Sequence, residues 1–312
     1  MRELSERTDL SDLIEICITY LEGAHQPDGR FLDRRSAPNG EWLPMLGSDD
    51  SNGRALFSLG CAVRAGGTYA ERLRPLFDVT ATAFESTAPR ANAWAILGAA
   101  EVLKVHTGDP IATSLIHRCI PRLGTTRLNP VWPWPEDRLA YDNARLPQAR
   151  IAAGRALGDV DLVEEGLALL TWLANVETND DHFSFTPHSG WALDEPRPGF
   201  DQQPIEAGSM ADACAEAFAA TGDPRWNELT QRAAAWFFGQ NDTGAMLFNP
   251  QTGGGRDGLE ADGCNENEGA ESTLAVITAL QAARRTQTAL RNAASTTSVS
   301  STAAPIHRSA AP

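Results

Sequence analysis

The sequence predicts an all-α chain, an α/α toroid (barrel) of five to six helical hairpins, and three observations carry that prediction. Helical apolar stripes recur along most of the chain, while strand-like alternation is nearly absent. Long polar loops alternate with tight turns at Gly66-Gly67, Gly108-Asp109, Gly158-Asp159 and Gly222-Asp223. The helix after a long loop is rich in small residues, whereas the helix after a tight turn carries bulkier apolar residues and a polar face. A tight turn makes its two helices antiparallel neighbours, so the long loops gather at one end. Small-residue helices pack closely on all sides and form the inner ring. An open solenoid of the same hairpins would need capping repeats and consensus repeat residues, which are not seen.

The elements follow in order. Leu10, Leu13, Ile14, Cys17, Ile18 and Leu21 stripe a first helix from about 8 to 23, which Gly23 ends. A polar loop closes on Asp49-Asp50 and opens SNGRALFSLGCAVRAG, an inner helix. Tyr69, Leu73, Leu76, Phe77 and Phe84 mark its partner. NAWAILGAAEVLKVHTG is the next inner helix, and Thr107-Gly108-Asp109-Pro110 turns into a helix ending near Leu123. A long loop over 125–143 leads to a helix through Leu146, Ile151 and Leu157, then to DLVEEGLALLTWLANV. The loop over 177–203 contains HFSF, a candidate short strand, before IEAGSMADACAEAFAATG and PRWNELTQRAAAWFFG. A Gly- and Asn-rich loop, too irregular for a regular element, precedes a last helix ending near Arg285. Ten helices are expected, with inner starts near 50, 91, 142, 204 and 269 on one face. Residues 1–285 are expected to form a single domain. Residues 286–312 form a Ser/Thr/Ala-rich tail without an apolar stripe, expected to be disordered.

Composition narrows the function. A net charge of −15, from 26 basic and 41 acidic residues, argues against nucleic acid or an anionic membrane as partner. The five cysteines are scattered, four of them in apolar helical runs, and read as reduced core residues. No CxxC or HExxH motif is present, so neither metal nor cofactor is expected. The charged start lacks the apolar core of a signal peptide, and no apolar run is long enough to span a bilayer, so a cytoplasmic location is expected.

The stretch Asn241–Leu274 is the strongest sign of a site. It crowds Asp257, Asp262, Glu266, Glu268 and Glu271, with Asn265 and Asn267, around a helix start. Like charges this close repel unless something binds them or their pKa values separate. Other inner-helix starts carry Asp49 and Asp50, Asp142 and Asn143, and Asp201, Gln202, Gln203 and Glu206. The loops add Trp42, Trp132, Trp134, Tyr141, His182, His188, Trp191 and Phe200. Aromatic faces beside carboxylates and amides suit a sugar: its apolar face stacks on indole and its hydroxyls pair with the polar groups. Helix caps and loop packing account for each residue taken singly.

The segments DDSNGRALFSLG, WPWPEDRLAYDNARLP, FDQQPIEA and DGLEADGCNENEGAESTLA resemble the motifs of the six-hairpin glycosidase superfamily, nearest to a bacterial glycosidase-like, glycosyltransferase-associated group. The resemblance covers most of residues 40 to 285. It implies an (α/α)6 toroid, a site at the long-loop end and association with glycosyltransferases, and it does not fix one reaction. The Tyr141–Ala144 stretch also resembles sugar epimerases of that fold.

Glycoside hydrolysis by inversion requires one protonated carboxyl and one carboxylate. Glu136, between Trp134 and Tyr141, is the expected acid; Asp50 and Glu268, at helix N-termini, are the expected bases. Asp49, Trp134, Tyr141, Asp142, Asn143, His182, Trp191, Asp201, Gln202, Gln203, Glu206, Asp257, Asn267 and Glu271 are expected to bind a neutral oligosaccharide. Arg54 is expected to pair with Asp50. An epimerase or isomerase using His182 and His188, a phosphorylase, and a non-catalytic carbohydrate-binding toroid are the competing readings.

Overall fold

A computed structural model describes residues 10–301, with side chains described to residue 293. Ten α-helices stand among the described residues: α1 (Ser11–Ala24), α2 (Asp49–Ala65), α3 (Gly67–Ala83), α4 (Pro89–Leu103), α5 (Pro110–Cys119), α6 (Arg145–Leu157), α7 (Val160–Val176), α8 (Pro204–Thr221), α9 (Pro224–Ala235) and α10 (Ala270–Ser301). Four hairpins, α2–α3, α4–α5, α6–α7 and α8–α9, turn where the sequence places its glycine turns. Gly158 and Gly222 cap α6 and α8 in the left-handed conformation that glycine adopts without a Cβ clash. Asp109 and Asp223 then cap α5 and α9 through their side chains, each ahead of a proline at the first helical position.

The chain parts into two compact units, residues 1–176 with 186–198, and residues 177–185 with 199–312. In the first, α2, α4 and α6 are successive neighbours, with α3, α5 and α7 packed behind them. Their small residues are what the packing needs. A Cβ on Gly60 would fall on the Gly98 carbonyl, and one on Gly53 on the Ala91 carbonyl, so α2 and α4 meet backbone to backbone. Leu56, Leu59, Ala62, Ala95, Ile96 and Ala99 are buried around this seam. Three helix starts share one end: Asp49 of α2 accepts from Ser86 just before α4, and Arg90 of α4 donates to the Tyr141 carbonyl just before α6. In the second unit α8 lies between α9 and α10, and Gly208 of α8 abuts Ala275 of α10, which sets those two starts side by side.

Several expectations change. HFSF is a strand only at His182–Phe183 (β3), pairing antiparallel with Thr178–Asn179 (β2). Arg138–Leu139 (β1) pairs with Trp191–Ala192 (β4). The Gly-rich loop before α10 is more regular than its composition implies: Gly258–Glu260 (β5) and Gly263–Asn265 (β6) form a hairpin anchored by the buried Leu259. The last helix does not stop near Arg285 but runs to Ser301, and Thr286, placed in the tail, is buried and donates to the Ala283 carbonyl. Alanine-rich sequence extends a helix already started without needing a stripe to do so. Residues 302–312 of that tail, and 8 and 9 of the first helix, lie outside the described residues. Cys17, read as core, is exposed, and no disulfide links the five cysteines, all of which lie among the described residues. Among the described residues, no helix is long and apolar enough to cross a membrane.

Candidate functional site

In the first unit the helix starts assemble a charged network. Asp50, in the first turn of α2, takes Arg54 Nε at 2.7 Å and the Tyr141 hydroxyl at 3.4 Å. Asp142 occupies the turn before α6 with φ of 50°, a conformation that Asp tolerates better than most residues. It is fully buried, takes the Trp94 indole N–H at 3.1 Å, and lies 3.3 Å from Arg145 and 3.7 Å from Arg54. Both guanidiniums also sit over the Trp94 ring, 4.9 Å away for Arg54 and 4.3 Å for Arg145. Burial pushes the Asp142 carboxyl up, against the pull of Arg145 and Arg54. Arg145 in turn donates to Gln148 at 2.6 Å.

Beside this lies a second ion pair. Arg90, buried at the start of α4, holds Glu136 with one nitrogen at 2.5 and 2.6 Å from its two oxygens, and donates to Asn143 at 3.1 Å. Trp134 adds an indole N–H to Glu136 at 3.3 Å. The apolar surroundings expected of Glu136 are therefore absent: its loop neighbours are apolar, but its carboxylate faces an arginine from another helix. Asn143 binds the Ala140 amide and serves the same turn. Asp50, Arg54, Glu136 and Tyr141 are partly open, the last 40% exposed. Burial, together with the nearby Asp50 charge, raises the Tyr141 phenol and keeps it protonated.

The tryptophans correct the sequence reading further. Trp132 and Trp134 are buried, not open platforms. They pack on Trp172 of α7 at 5.3 and 5.9 Å, and Trp132 also meets the half-buried Trp191 at 5.4 Å. The loop over 125–143 makes its own aromatic core, which sequence alone did not show because its anchor, Trp172, lies on a distant helix. Trp42 similarly packs on Tyr20 at 4.8 Å.

In the second unit the polar residues mostly bind one another. Gln202 is buried; its amide donates to Asp242 at 2.6 Å and accepts from the Phe185 N–H at 2.9 Å. Asp242 also takes Asn179 and His182, each at 3.0 Å. Burial alone would raise the Asp242 carboxyl, but hydrogen bonds from Asn179, His182, Ser184 and Gln202 outweigh it and hold it at about 2. Asp257 caps α10, accepting from the Gly269 N–H at 2.8 Å and the Ser272 hydroxyl at 2.5 Å, with Asn267 donating as well. Glu268 takes Asn249 and Thr252 at 2.5 Å each and closes the loop over 249–254. Hydrogen bonds from Ser272 lower Asp257, and those from Thr252 and Asn249 lower Glu268. Asp257 and Glu268 are thus held mainly by neutral donors, with Arg256 adding to the pull on Glu268 and lying 3.8 Å from Glu266. Glu206 is buried in α8, while Asp201 and Glu271 are exposed and Gln203 is half-buried.

Arg90, Trp94, Arg145 and Asp242 were not among the sequence candidates. An arginine directly after the proline that opens a helix was the available signal for Arg90. For Asp242 the NDTG turn was the only one.

No family model matches the sequence, and no curated protein does. Solved structures do match. A D-mannose isomerase aligns with a TM-score of 0.62 at 12% identity, over 90% of this chain and 83% of its own. The GH76 alpha-mannanase of Bacteroides thetaiotaomicron aligns at 0.59 and 14%, over 93% and 84%. An unsaturated glucuronyl hydrolase specific for heparin aligns at 0.52 and 13%, over 72% of this chain; the chain spans 64% of that enzyme's length. The fold of the chain is therefore that of the α/α toroids built from helical hairpins, as the alternation of loops and turns predicts.

Proposed function

We propose that the chain is a carbohydrate-active enzyme, a glycoside hydrolase acting on a neutral oligosaccharide, with Asp50 as its catalytic base. One observation carries this reading: Asp50 is a partly open carboxylate on a helix N-terminus, fixed by Arg54 on one oxygen and by Tyr141 on the other. Arg54, four residues on along the same helix, holds the carboxylate in place. Arg54 and Tyr141, both partly open, offer donors to sugar hydroxyls. Asp50 takes a proton from the attacking water. The leaving oxygen takes one from the Tyr141 phenol, which is protonated, partly open and recharged through Asp50 or solvent. Glu136, the acid expected from sequence, would have to leave Arg90 to deliver a proton, so its role in this reading is to hold the 132–143 loop. The likeness to a mannanase and to a glucuronyl hydrolase supports the hydrolytic choice. The test is a panel of manno-, gluco- and galacto-oligosaccharides, with and without phosphate. Cleavage in water alone, lost in Asp50→Asn by about 10²–10⁴-fold, is the expected result.

A second reading, epimerisation or isomerisation, draws on the His182–Asp242 pair at 3.0 Å and on the likeness to D-mannose isomerase. Asp242 orients the His182 Nε2, while Nδ1 lies 3.5 Å from the exposed Asp181 and is the nitrogen that would move a proton. NMR of free aldoses and ketoses incubated with the protein decides between them: interconversion without bond cleavage, lost in His182→Gln, would favour this reading over hydrolysis.

A further inference from the structure

Outside the Asp50 network, the first unit holds a cavity of about 630 Å³. It lies between the segment joining α3 to α4 and the end of α5, where a short 3-10 turn, Ile120–Leu123, follows. That volume suits a small organic molecule. Asp50, Arg54 and Tyr141 are not among the residues that line it.

One side of the cavity is cationic, with His117, Arg118 and Arg122 lining it from the end of α5 and the turn. Arg118 is fixed in place: it donates to the Ala81 carbonyl at 2.5 Å and to the Ser114 hydroxyl at 2.9 Å. Among the described residues no carboxylate pairs with it, and Arg122 and His117 have no hydrogen-bond or ion-pair partner. In a chain of net charge −15, two guanidiniums without a carboxylate partner on one cavity wall are a place for an anion. Their planar forks match a carboxylate.

The other side, built from α2 and the segment before α4, limits that anion to one charge. Asp49 and Glu85 line it, and the Ser86 hydroxyl holds Asp49 at 2.7 Å. A second negative charge would be repelled there, whereas hydroxyl groups would donate to the carboxylates. Phe84, Asn92 and Cys119, all buried, complete the lining. Asn92 spends its amide nitrogen on the Ser86 and Ala88 carbonyls, at 3.1 and 2.8 Å, which leaves its side-chain oxygen as an acceptor. Phe84 is an apolar surface for C–H groups. Burial pushes the Cys119 thiol up to about 12, so it adds no charge.

We infer that this cavity binds a singly charged sugar acid, with its carboxylate on Arg118 and Arg122 and its hydroxyls on Asp49, Asn92 and Thr87. The site is separate from the Asp50 centre and does not depend on the reaction proposed there.

Isothermal titration of the full chain with D-glucuronate, glucose, glucose 6-phosphate and acetate tests it. Glucuronate is expected to bind with a dissociation constant of about 0.1–1 mM, at least about tenfold tighter than each of the others. Glucose lacks the charge, acetate lacks the hydroxyls, and the phosphate brings a second charge toward Asp49 and Glu85. Arg122→Glu should weaken glucuronate at least about tenfold. Arg122 is exposed, and an unchanged circular-dichroism melt confirms that the variant folds. Asp50→Asn should bind glucuronate as the unaltered chain does, whatever its effect on turnover. No saturation by glucuronate at about 10 mM, equal or tighter binding of any of the other three, undiminished binding in Arg122→Glu, or loss of binding in Asp50→Asn would each overturn the inference.

Discussion

The two units hold the carboxylates of their candidate sites with different partners. In the first, carboxylates meet arginines: Asp50 with Arg54, Glu136 with Arg90, Asp142 with Arg145. In the second, Asp242 meets Gln202, Asn179 and His182, Glu268 meets Asn249 and Thr252, and Asp257 meets Ser272 and Gly269, while arginines meet Asp212 and the exposed Glu266. Neutral donors fix a carboxylate and consume its acceptor capacity, which is the work of caps and loop staples. Arginines that also lie over an indole make a charged surface whose partly open members, Asp50, Arg54 and Tyr141, remain available to a ligand. Acidic density in sequence marked loop architecture in the second unit, while the proposed chemistry rests on the first.

The largest effect should come from breaking the first network. Arg90→Met leaves Glu136 without its arginine and removes bonds to Tyr141 and Asn143. Losing one partner of a buried pair costs about 3–5 kcal/mol, which a thermal melt should show as a drop of several degrees or more. If the melt is unchanged, the arginine network does not organise the three helix starts.

Next comes Asp242. Its folded-state carboxyl, at about 2, lies below the ordinary value of 3.8, so its contribution is present above about pH 4 and is lost as pH falls toward 2. Allowing for solvent screening, roughly 1–2 kcal/mol is at stake. Asp242→Asn should flatten the acid limb of the stability profile by that amount, as followed by urea denaturation. Asp142 should behave in the opposite sense. Its folded-state carboxyl is raised, so the native state holds the proton longer, and stability falls as pH rises from the ordinary carboxylate value through the raised one. Asp142→Asn should remove that decline. The smallest effect is expected for Glu268→Gln: an amide oxygen still accepts from Asn249 or Thr252, and turnover should change by less than about threefold if Glu268 takes no part in proton transfer.

Much of the fold was legible because it rests on local signals. The Gly-Asp-Pro turns set hairpin ends through capping chemistry, and the small residues of α2 and α4 announced a backbone contact at Gly60 and Gly98. The site was less legible because its logic is long-range. Glu136 looked like a carboxyl in an apolar loop, since Arg90 is 46 residues away. Trp134 looked like a sugar platform, since Trp172 lies on another helix. Asp50 and its pairing with Arg54 were readable, because a four-residue spacing on a helix brings the two side chains together. The hairpin at Gly258–Asn265 was hidden by composition, although Leu259 between polar neighbours marked a buried strand position.

The catalytic role of Asp50 is tested most directly by the kinetics of Asp50→Asn set beside Glu268→Gln, measured as kcat/KM on whichever oligosaccharide of the panel the unaltered protein cleaves. It predicts a loss of about 10²–10⁴-fold for Asp50→Asn, with folding intact, and near-normal turnover for Glu268→Gln. Retention of activity within about tenfold by a folded Asp50→Asn, or a larger loss in Glu268→Gln, would contradict it and move the chemistry to the second unit.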